Sequence, residues 1–187
     1  MTLARAPGLL VTVILTLGLI SGCGDQQQYD QGVSDTEIKI GNTTAYSGPL
    51  SAYGVLGHAA AAYYDMINER GGVKGRKINY VSLDDGYSPP KTVEQIRKLV
   101  EEEQVLFLSG TMGTPTNSAV HEYVNAEPIP HLFITSGAAK WGDPENFPWS
   151  MGWTLSYVSE ATIYGQYILQ TKPDAKIAVL YQNDDYG

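Results

Sequence analysis

From residue 36 onward, hydrophobic positions follow two alternating patterns. The first is a short apolar run bounded by turn residues, which is typical of a β-strand. The run 105–108 is unbroken and therefore predicts a strand buried on both faces. Four strands are predicted in this way, at residues 38–41, 78–83, 105–108 and 131–135.

Between these runs, apolar residues recur at helical spacing. The predicted inward faces are Ala59, Tyr63, Met66 and Ile67; Val93, Ile96, Leu99 and Val100; and Ala119, Val120, Tyr123 and Val124. Ser88 before Pro89 begins the second of these helices, because serine caps a helix and proline fits its first turn. The alternation of strands and helices predicts an α/β fold with a parallel sheet covered by helices.

A second unit begins near residue 151. Residues 144–153 predict a segment that crosses between two units, and residues 159–171 predict a helix. Its predicted inward face consists of Ala161, Tyr164, Ile168 and Leu169. The apolar run 176–181 then predicts a buried strand.

The first residues have the pattern of a targeting segment rather than of a folded domain. Arg5 precedes an apolar run, 9–20, which is too short to span a bilayer. The run closes on Ile20-Ser21-Gly22-Cys23, which resembles a bacterial lipobox. We therefore predict a lipoprotein signal peptide at 1–22 and a lipid anchor on Cys23, followed by a flexible tether at 23–35. The alternative is an ordinary signal peptide with a free cysteine.

Composition and charge narrow the function. The 187 residues are 43% hydrophobic and 17% charged, which indicates a globular chain of about one domain. A net charge of -8 without a Lys/Arg cluster argues against nucleic acid as a partner.

Motifs for catalysis are weak, so we predict no enzyme, no cofactor and no metal. Residues 110–113 lack the pattern of a dinucleotide or phosphate loop, and His121-Glu122 lacks the second histidine of a zinc-protease helix. The pair Asp84-Asp85 could bind a metal or act in acid/base chemistry, but it more often ends a strand and caps the following loop.

Seven segments that follow one another in a fixed order indicate the class of protein: 47–54, 71–76, Asp84-Asp85, 113–117, 136–141, Asp143-Pro144 and 181–187. Their order resembles that of periplasmic binding proteins of the leucine/isoleucine/valine receptor type. The resemblance implies a type I fold with two Rossmann-like lobes, each built on a parallel sheet. Residues 36–150 would form lobe 1, and residues 151–187 the hinge and the start of a C-terminally truncated lobe 2.

The strand ends predict where a ligand binds. In open α/β sheets the site lies beyond the carboxyl ends of the strands, here the loops at 41–54, 84–88, 109–116 and 135–141. Unpaired amides after Gly113 would seat a carboxylate, with hydroxyls from Thr114 and Thr116. The alternative is that Thr114 only caps the helix.

The resemblance adds further site residues. Tyr53 and Tyr186 match tyrosines that face the cleft from opposite lobes, and Ser136, Gly137 and Ala139 match the loop that holds the ligand's polar end. Ala139 replaces a threonine that contacts the α-amino group in the leucine receptors, which favours an aromatic or simple carboxylate over an α-amino acid. Trp141 could stack on a ligand ring or pack in the core.

The resemblance implies the solute-binding component of an ABC importer. Such a protein would capture a branched-chain amino acid or a related carboxylate, deliver it to the transporter permease, and stay on a bacterial membrane by its lipid. The alternative function is the ligand-sensing domain of a receptor or regulator with the same fold. A transmembrane or signalling segment further along the chain would favour that alternative.

Overall fold

The computed structural model describes residues 29–187. The predicted signal peptide and Cys23 lie outside the described residues. The strands are β1 (Glu37–Thr44), β2 (Lys77–Asp84), β3 (Phe107–Ser109), β4 (His131–Ile134) and β5 (Ser150–Gly152). The helices are α1 (Gly54–Glu69), α2 (Pro89–Arg97), α3 (Thr114–Ala126) and α4 (Tyr157–Thr171), with short helical turns at Ser51–Tyr53, Lys98–Glu102 and Ala139–Gly142.

The five strands form one sheet in the order β2-β1-β3-β4-β5, and every neighbouring pair is parallel. The predicted α/β class is therefore confirmed. Because the chain order reverses between β1 and β3, loops on either side of that point diverge at the carboxyl edge and leave room for a site.

The main core lies between one face of the sheet and the pair α2 and α3. Ile96, Leu99, Val100, Val105, Leu108, Val120, Val124 and Ile129 form it. Val81 and Leu83 of β2 also pack there, whereas Tyr80, which precedes Val81, packs against Tyr64 of α1 with ring centroids 5.0 Å apart. Because successive strand residues point to opposite faces, α1 covers the other side of the sheet.

Three predictions about packing are wrong. Ala59 and Tyr63 are exposed because α1 turns Gly54 and Gly57 inward, and Ala119 is exposed because α3 turns Val120 and Val124 toward the core. Within the predicted tether, Gln31 donates to the carbonyls of Val100 and Val105, each at 3.2 Å.

The predicted strand at 176–181 does not form, and its side chains are exposed. No neighbouring strand lies beside it in the described residues, so its backbone has no ladder to join. The predicted inward face of α4 is also wrong, because Ala161, Tyr164 and Leu169 are exposed and Ile168 is only partly covered.

Candidate functional site

A cavity of about 600 Å³ opens at the carboxyl edge of the sheet. Loops that follow β1, β2, β3, β4 and β5 all contribute to its wall, and α4 and the C-terminal segment close one side. Its lining includes Tyr53, Tyr87, Gly113, Thr114, Ser136, Gly137, Tyr157, Glu160, Tyr164, Gln182 and Tyr186. Six of the eight predicted ligand residues therefore come together here: Tyr53, Gly113, Thr114, Ser136, Gly137 and Tyr186.

Gly113 allows the loop after β3 to enter α3 at the base of the cavity. It is the residue that caps α3, at φ 106°, a backbone conformation that side chains other than glycine rarely adopt. A Cβ atom there would overlap the Tyr87 ring. The interpretation of Thr114 as only a helix cap is therefore wrong, because Thr114 is the first residue inside the helix.

The hydroxyl groups of Ser136 and Thr114 are hydrogen-bonded to each other at this helix start. Ser136 Oγ accepts from Trp141 Nε1 at 2.8 Å and lies 2.8 Å from Thr114 Oγ1. A hydroxyl oxygen can accept two hydrogen bonds, so either Ser136 or Thr114 can be the donor between them. When Ser136 donates, the Thr114 proton can point outward, toward Tyr157 Oη at 3.2 Å or toward a ligand.

The start of α3 adds donors beside these hydroxyls. The first-turn amides of a helix have no acceptor within the helix, and they stand at the positive end of its dipole. Pro115 has no N–H, and Thr116 is fully buried outside the cavity wall, so the Thr114 amide is the backbone donor that this turn can offer to the cavity. Together with the Thr114 hydroxyl, it gives an anionic oxygen two donors at this end of the cavity.

Gly137 brings the start of α4 onto the cavity. The Tyr157 amide donates to the Gly137 carbonyl at 2.9 Å, and a Cβ atom on Gly137 would lie 2.5 Å from the Leu155 carbonyl oxygen. The absence of a side chain thus allows the two backbones to approach. Ser156 caps α4, accepting from the Ser159 amide at 3.2 Å.

Tyrosine rings form much of the cavity wall. Tyr186 packs edge-on against Tyr157 with ring centroids 4.8 Å apart, and Gln182 Nε2 donates to Tyr87 Oη at 3.4 Å. Burial raises the pKa of Tyr87, so its hydroxyl stays protonated at neutral pH. Tyr53 stands half-exposed on the side formed by the loop after β1. These rings give the site apolar faces and polar edges.

The acidic pair after β2 shapes the loop that presents Tyr87. Asp84 accepts from the Tyr46 and Gly86 amides at 2.9 and 3.0 Å, and it pairs with Lys91 at 2.8 Å. Desolvation raises the pKa of Asp84, but these bonds outweigh desolvation and hold the pKa below its usual value. Asp85 is buried, which raises its pKa, and it accepts from the Tyr87 amide at 2.9 Å. Both carboxylates are used as loop caps, as the sequence favoured.

Two predicted ligand residues lie elsewhere. Thr116 is fully buried and its hydroxyl donates to the Met112 carbonyl at 2.6 Å, so it stabilises the helix start from within. Ala139 is exposed and lines an adjoining pocket of about 270 Å³ with Lys140 and Asp185. Trp141 is buried beside His121, which settles its role as a core residue.

Sequence reasoning missed several residues of the cavity wall: Tyr87, Tyr157, Glu160, Tyr164 and Gln182. Tyr87 lies in the loop 84–88 that was predicted to line the site, so its position offered a signal. The α4 residues offered none, because their side of the helix was assigned to the core of a second lobe.

Two further observations apply to residues 29–187. No group of three His, Cys, Asp or Glu side chains in that range could hold a metal ion. None of its helices combines the length and the apolar character needed to span a bilayer.

The parallel sheet with a cavity at its carboxyl edge has the fold of type I periplasmic binding proteins. A sequence model described as periplasmic binding protein matches residues 37–187. The chain therefore belongs to the periplasmic binding protein family, whose members bind solutes.

Three known proteins illustrate the similarity. The leucine-specific-binding protein of Salmonella typhimurium is 28% identical over 162 residues, which cover 84% of this chain and 42% of that protein. The fatty acid ABC transporter substrate-binding protein from Thermomonospora curvata is 26% identical, with a TM-score of 0.69, covering 82% of this chain and 38% of that one. An extracellular ligand-binding receptor from Rhodopseudomonas palustris is 30% identical, with a TM-score of 0.63, covering 73% and 37%. The chain thus spans about two fifths of the length of these relatives.

Proposed function

We propose that this protein is the solute-binding component of an ABC importer and that its cavity captures an amino acid or a related small carboxylate. The observation that supports the proposal most is the pair of donors at the start of α3, the hydroxyl and the amide of Thr114, which lines the cavity. The names of the relatives, a leucine-specific-binding protein and an ABC transporter substrate-binding protein, support the same function.

The cavity chemistry explains how such a ligand would be held. Its carboxylate would accept charge-assisted hydrogen bonds at the start of α3, each of which contributes about 1.5 to 3 kcal/mol. Its apolar or aromatic part would lie against the tyrosines at 53, 87 and 186. Binding would favour the state in which α4 and the C-terminal segment close on the sheet edge, and the permease would recognise that state.

Titration calorimetry with matched ligands tests the carboxylate seat. The test panel consists of leucine, phenylalanine and their deaminated acids. We expect at least one of these four ligands to bind. The methyl ester of each binder should bind at least tenfold more weakly, because it loses charge-assisted bonds. Esters that bind as well as the free acids would contradict the seat, and a panel without any binder would contradict the proposed function.

Site variants provide a second test. Thr114→Val keeps the shape of the side chain and removes the donor, so it should weaken carboxylate binding about tenfold. Thr162→Val is the matched control, because Thr162 is exposed on α4 and its hydroxyl bonds to the Val158 carbonyl at 2.7 Å. Tyr53→Ala and Tyr186→Ala should each weaken the best ligand while leaving the protein folded. Equal affinities in Thr114→Val and Thr162→Val would exclude the hydroxyl from the site.

We also propose that Cys23 bears a lipid that keeps the protein on the outer side of a bacterial membrane. The apolar run that ends at Ile20-Ser21-Gly22-Cys23 supports this. The protein expressed in a bacterium should fractionate with membranes and show a lipid mass increment at the mature N-terminus. Cys23→Ala should abolish both, and unchanged processing in that variant would contradict the anchor.

A further inference from the structure

One ionised side chain, Glu160, is present in the described cavity wall. The remaining lining side chains are tyrosines, other hydroxyl or amide groups, and apolar groups, with no lysine or arginine among them. Lys140 lines the adjoining smaller pocket and is paired there with Asp185. The cavity therefore has a negative charge on one wall and neutral donors at the start of α3.

The helix α4 fixes the position of Glu160 relative to the carboxylate seat. Tyr157, Glu160 and Tyr164 are spaced three and four residues apart, so they share the face of α4 that lines the cavity. Tyr157 Oη lies 3.2 Å from Thr114 Oγ1, which places the first turn of α4 against the seat. Glu160 follows Tyr157 by about 4.5 Å along the helix axis.

A hydrogen bond orients the Glu160 carboxylate. Tyr164 Oη donates to Glu160 Oε1 at 2.7 Å, which leaves the second carboxylate oxygen free to accept from a ligand. Tyr157 precedes Glu160 and Tyr164 follows it on the same helix face. The free carboxylate oxygen therefore suits a positive group of the ligand.

Charge balance then decides between ligand classes. A simple carboxylate in this cavity would meet the negative charge of Glu160 without a cationic side chain to offset it. A zwitterion places an ammonium group beside Glu160 and its carboxylate at the start of α3. Ala139 does not enter this comparison, because it faces the adjoining pocket.

We propose that Glu160 is a specificity-determining residue that accepts hydrogen bonds from an ammonium group of the ligand, so that the site selects zwitterions over simple carboxylates. This inference rests on the proposed function, since it requires a ligand whose carboxylate lies at the start of α3. It reverses the preference that Ala139 suggested from the sequence.

Calorimetry with phenylalanine and 3-phenylpropanoate tests the inference, because the two ligands differ only in the ammonium group. In the unaltered chain phenylalanine should bind at least tenfold more tightly. Glu160→Gln should weaken phenylalanine about tenfold, as expected for one charge-assisted bond at a partly exposed site, and should leave 3-phenylpropanoate unchanged or tighter. Tyr164→Phe should cause a smaller loss for phenylalanine, and Glu160→Asp should keep part of the affinity.

Matched measurements separate this inference from loss of folding and from the proposed function. Glu94→Gln, at an exposed position of α2 outside the cavity, should leave both affinities unchanged. Binding of 3-phenylpropanoate requires the folded carboxylate seat but no contact with an ammonium group. Unchanged binding of this ligand therefore shows that the Glu160→Gln variant is still folded. If Glu160→Gln weakens both ligands equally or neither, the role of Glu160 is refuted while the carboxylate seat stands. If neither ligand binds the unaltered chain, leucine and its deaminated acid are compared in the same way, and failure of all four ligands refutes the proposed function and this inference with it.

Discussion

Two apolar runs of this chain resemble each other in sequence and differ in the structure. Val105 and Leu108 are fully buried at the centre of the sheet, whereas Val179 and Leu180 of the run 176–181 are exposed. The first run lies between β1 and β4 and beneath two helices. The second has no such neighbours in the described residues. An apolar run becomes a strand only where other segments supply a hydrogen-bond ladder and a covering layer.

The helices α3 and α4 differ in the same way. Val120 and Val124 of α3 are buried against the sheet, while α4 has no fully buried residue. The contacts described above for α4 lie at its first turn, where Ser156 caps it and Tyr157 meets Gly137 and Thr114. The inner wall of the cavity is thus part of the packed core, and the outer wall belongs to a region with few buried contacts, which should open more easily.

The largest expected difference between the two regions concerns stability. Leu108→Ala removes a side chain that is 0% exposed and should lower the free energy of unfolding by about 2 to 5 kcal/mol. Leu169→Ala on α4, at a side chain that is 68% exposed, should change it by less than about 0.5 kcal/mol. Urea denaturation compares the two variants, and similar losses would contradict the unequal packing.

Acid should act on the packed region through His131. Its side chain is fully buried, with Nε2 2.5 Å from Thr111 Oγ1, and burial lowers its pKa to about 3. The unfolded chain takes up this proton near pH 6.5 but the folded chain does not, so stability falls as pH decreases below 6.5.

The expected slope from His131 approaches about 1.4 kcal/mol per pH unit between pH 6 and 5. His121, whose pKa burial also lowers, adds to it in the same direction. Denaturation curves at successive pH values should show a flatter dependence in His131→Gln. His58→Asn, at an exposed position of α1, serves as the control and should keep the original slope.

Gly113→Ala tests the joint between the core and the cavity. An alanine at φ 106° is strained, and its Cβ would displace the Tyr87 ring, so we expect a loss of about 1 to 3 kcal/mol together with weaker ligand binding. Gly142→Ala, where a Cβ would meet open space, should change stability by less than about 0.5 kcal/mol. Thermal or urea unfolding that fails to distinguish the two variants would show that the loop adapts.

The smallest expected effect is local to α4. Gly165 lies inside this helix with open space around it, so Gly165→Ala should stabilise the helix by about 0.5 to 1 kcal/mol. Because α4 has few contacts with the core, hydrogen exchange of α4 amides should slow while the global unfolding free energy stays the same. An equal gain in global stability would show that α4 and the core unfold together.

Much of the sheet could be predicted from the sequence because its signals are local. The runs at 38–41, 78–83, 105–108 and 131–135 all gave strands, with bounds shifted by a few residues. The proline and glycine signals near Ser88 and Gly113 located helix starts. The loops at the carboxyl edge followed from the strand order expected of an α/β fold, and they brought six predicted residues to the cavity.

The exposed and buried faces of the helices could not be predicted as well as the strands. Spacing shows that residues share a face but not which face packs inward. The helix α1 buries Gly54 and Gly57, where an added side chain would meet Tyr46, and leaves Ala59 and Tyr63 exposed. For α4 the sequence indicated a buried apolar face. Few of the described residues pack on that face, so it is largely exposed.

The sequence by itself determined the strand and helix order, the parallel class of the sheet and the edge at which the cavity opens, because periodicity and turn residues act over a few positions. Only the tertiary structure decided which side chains meet there. In the structure, Thr116 and Ala139 lie outside the cavity, and Glu160 lies on its wall. Trp141, Ser136 and Thr114 are linked by hydrogen bonds. These contacts join residues that are distant in sequence, so their distances depend on how α3, α4 and the loops pack.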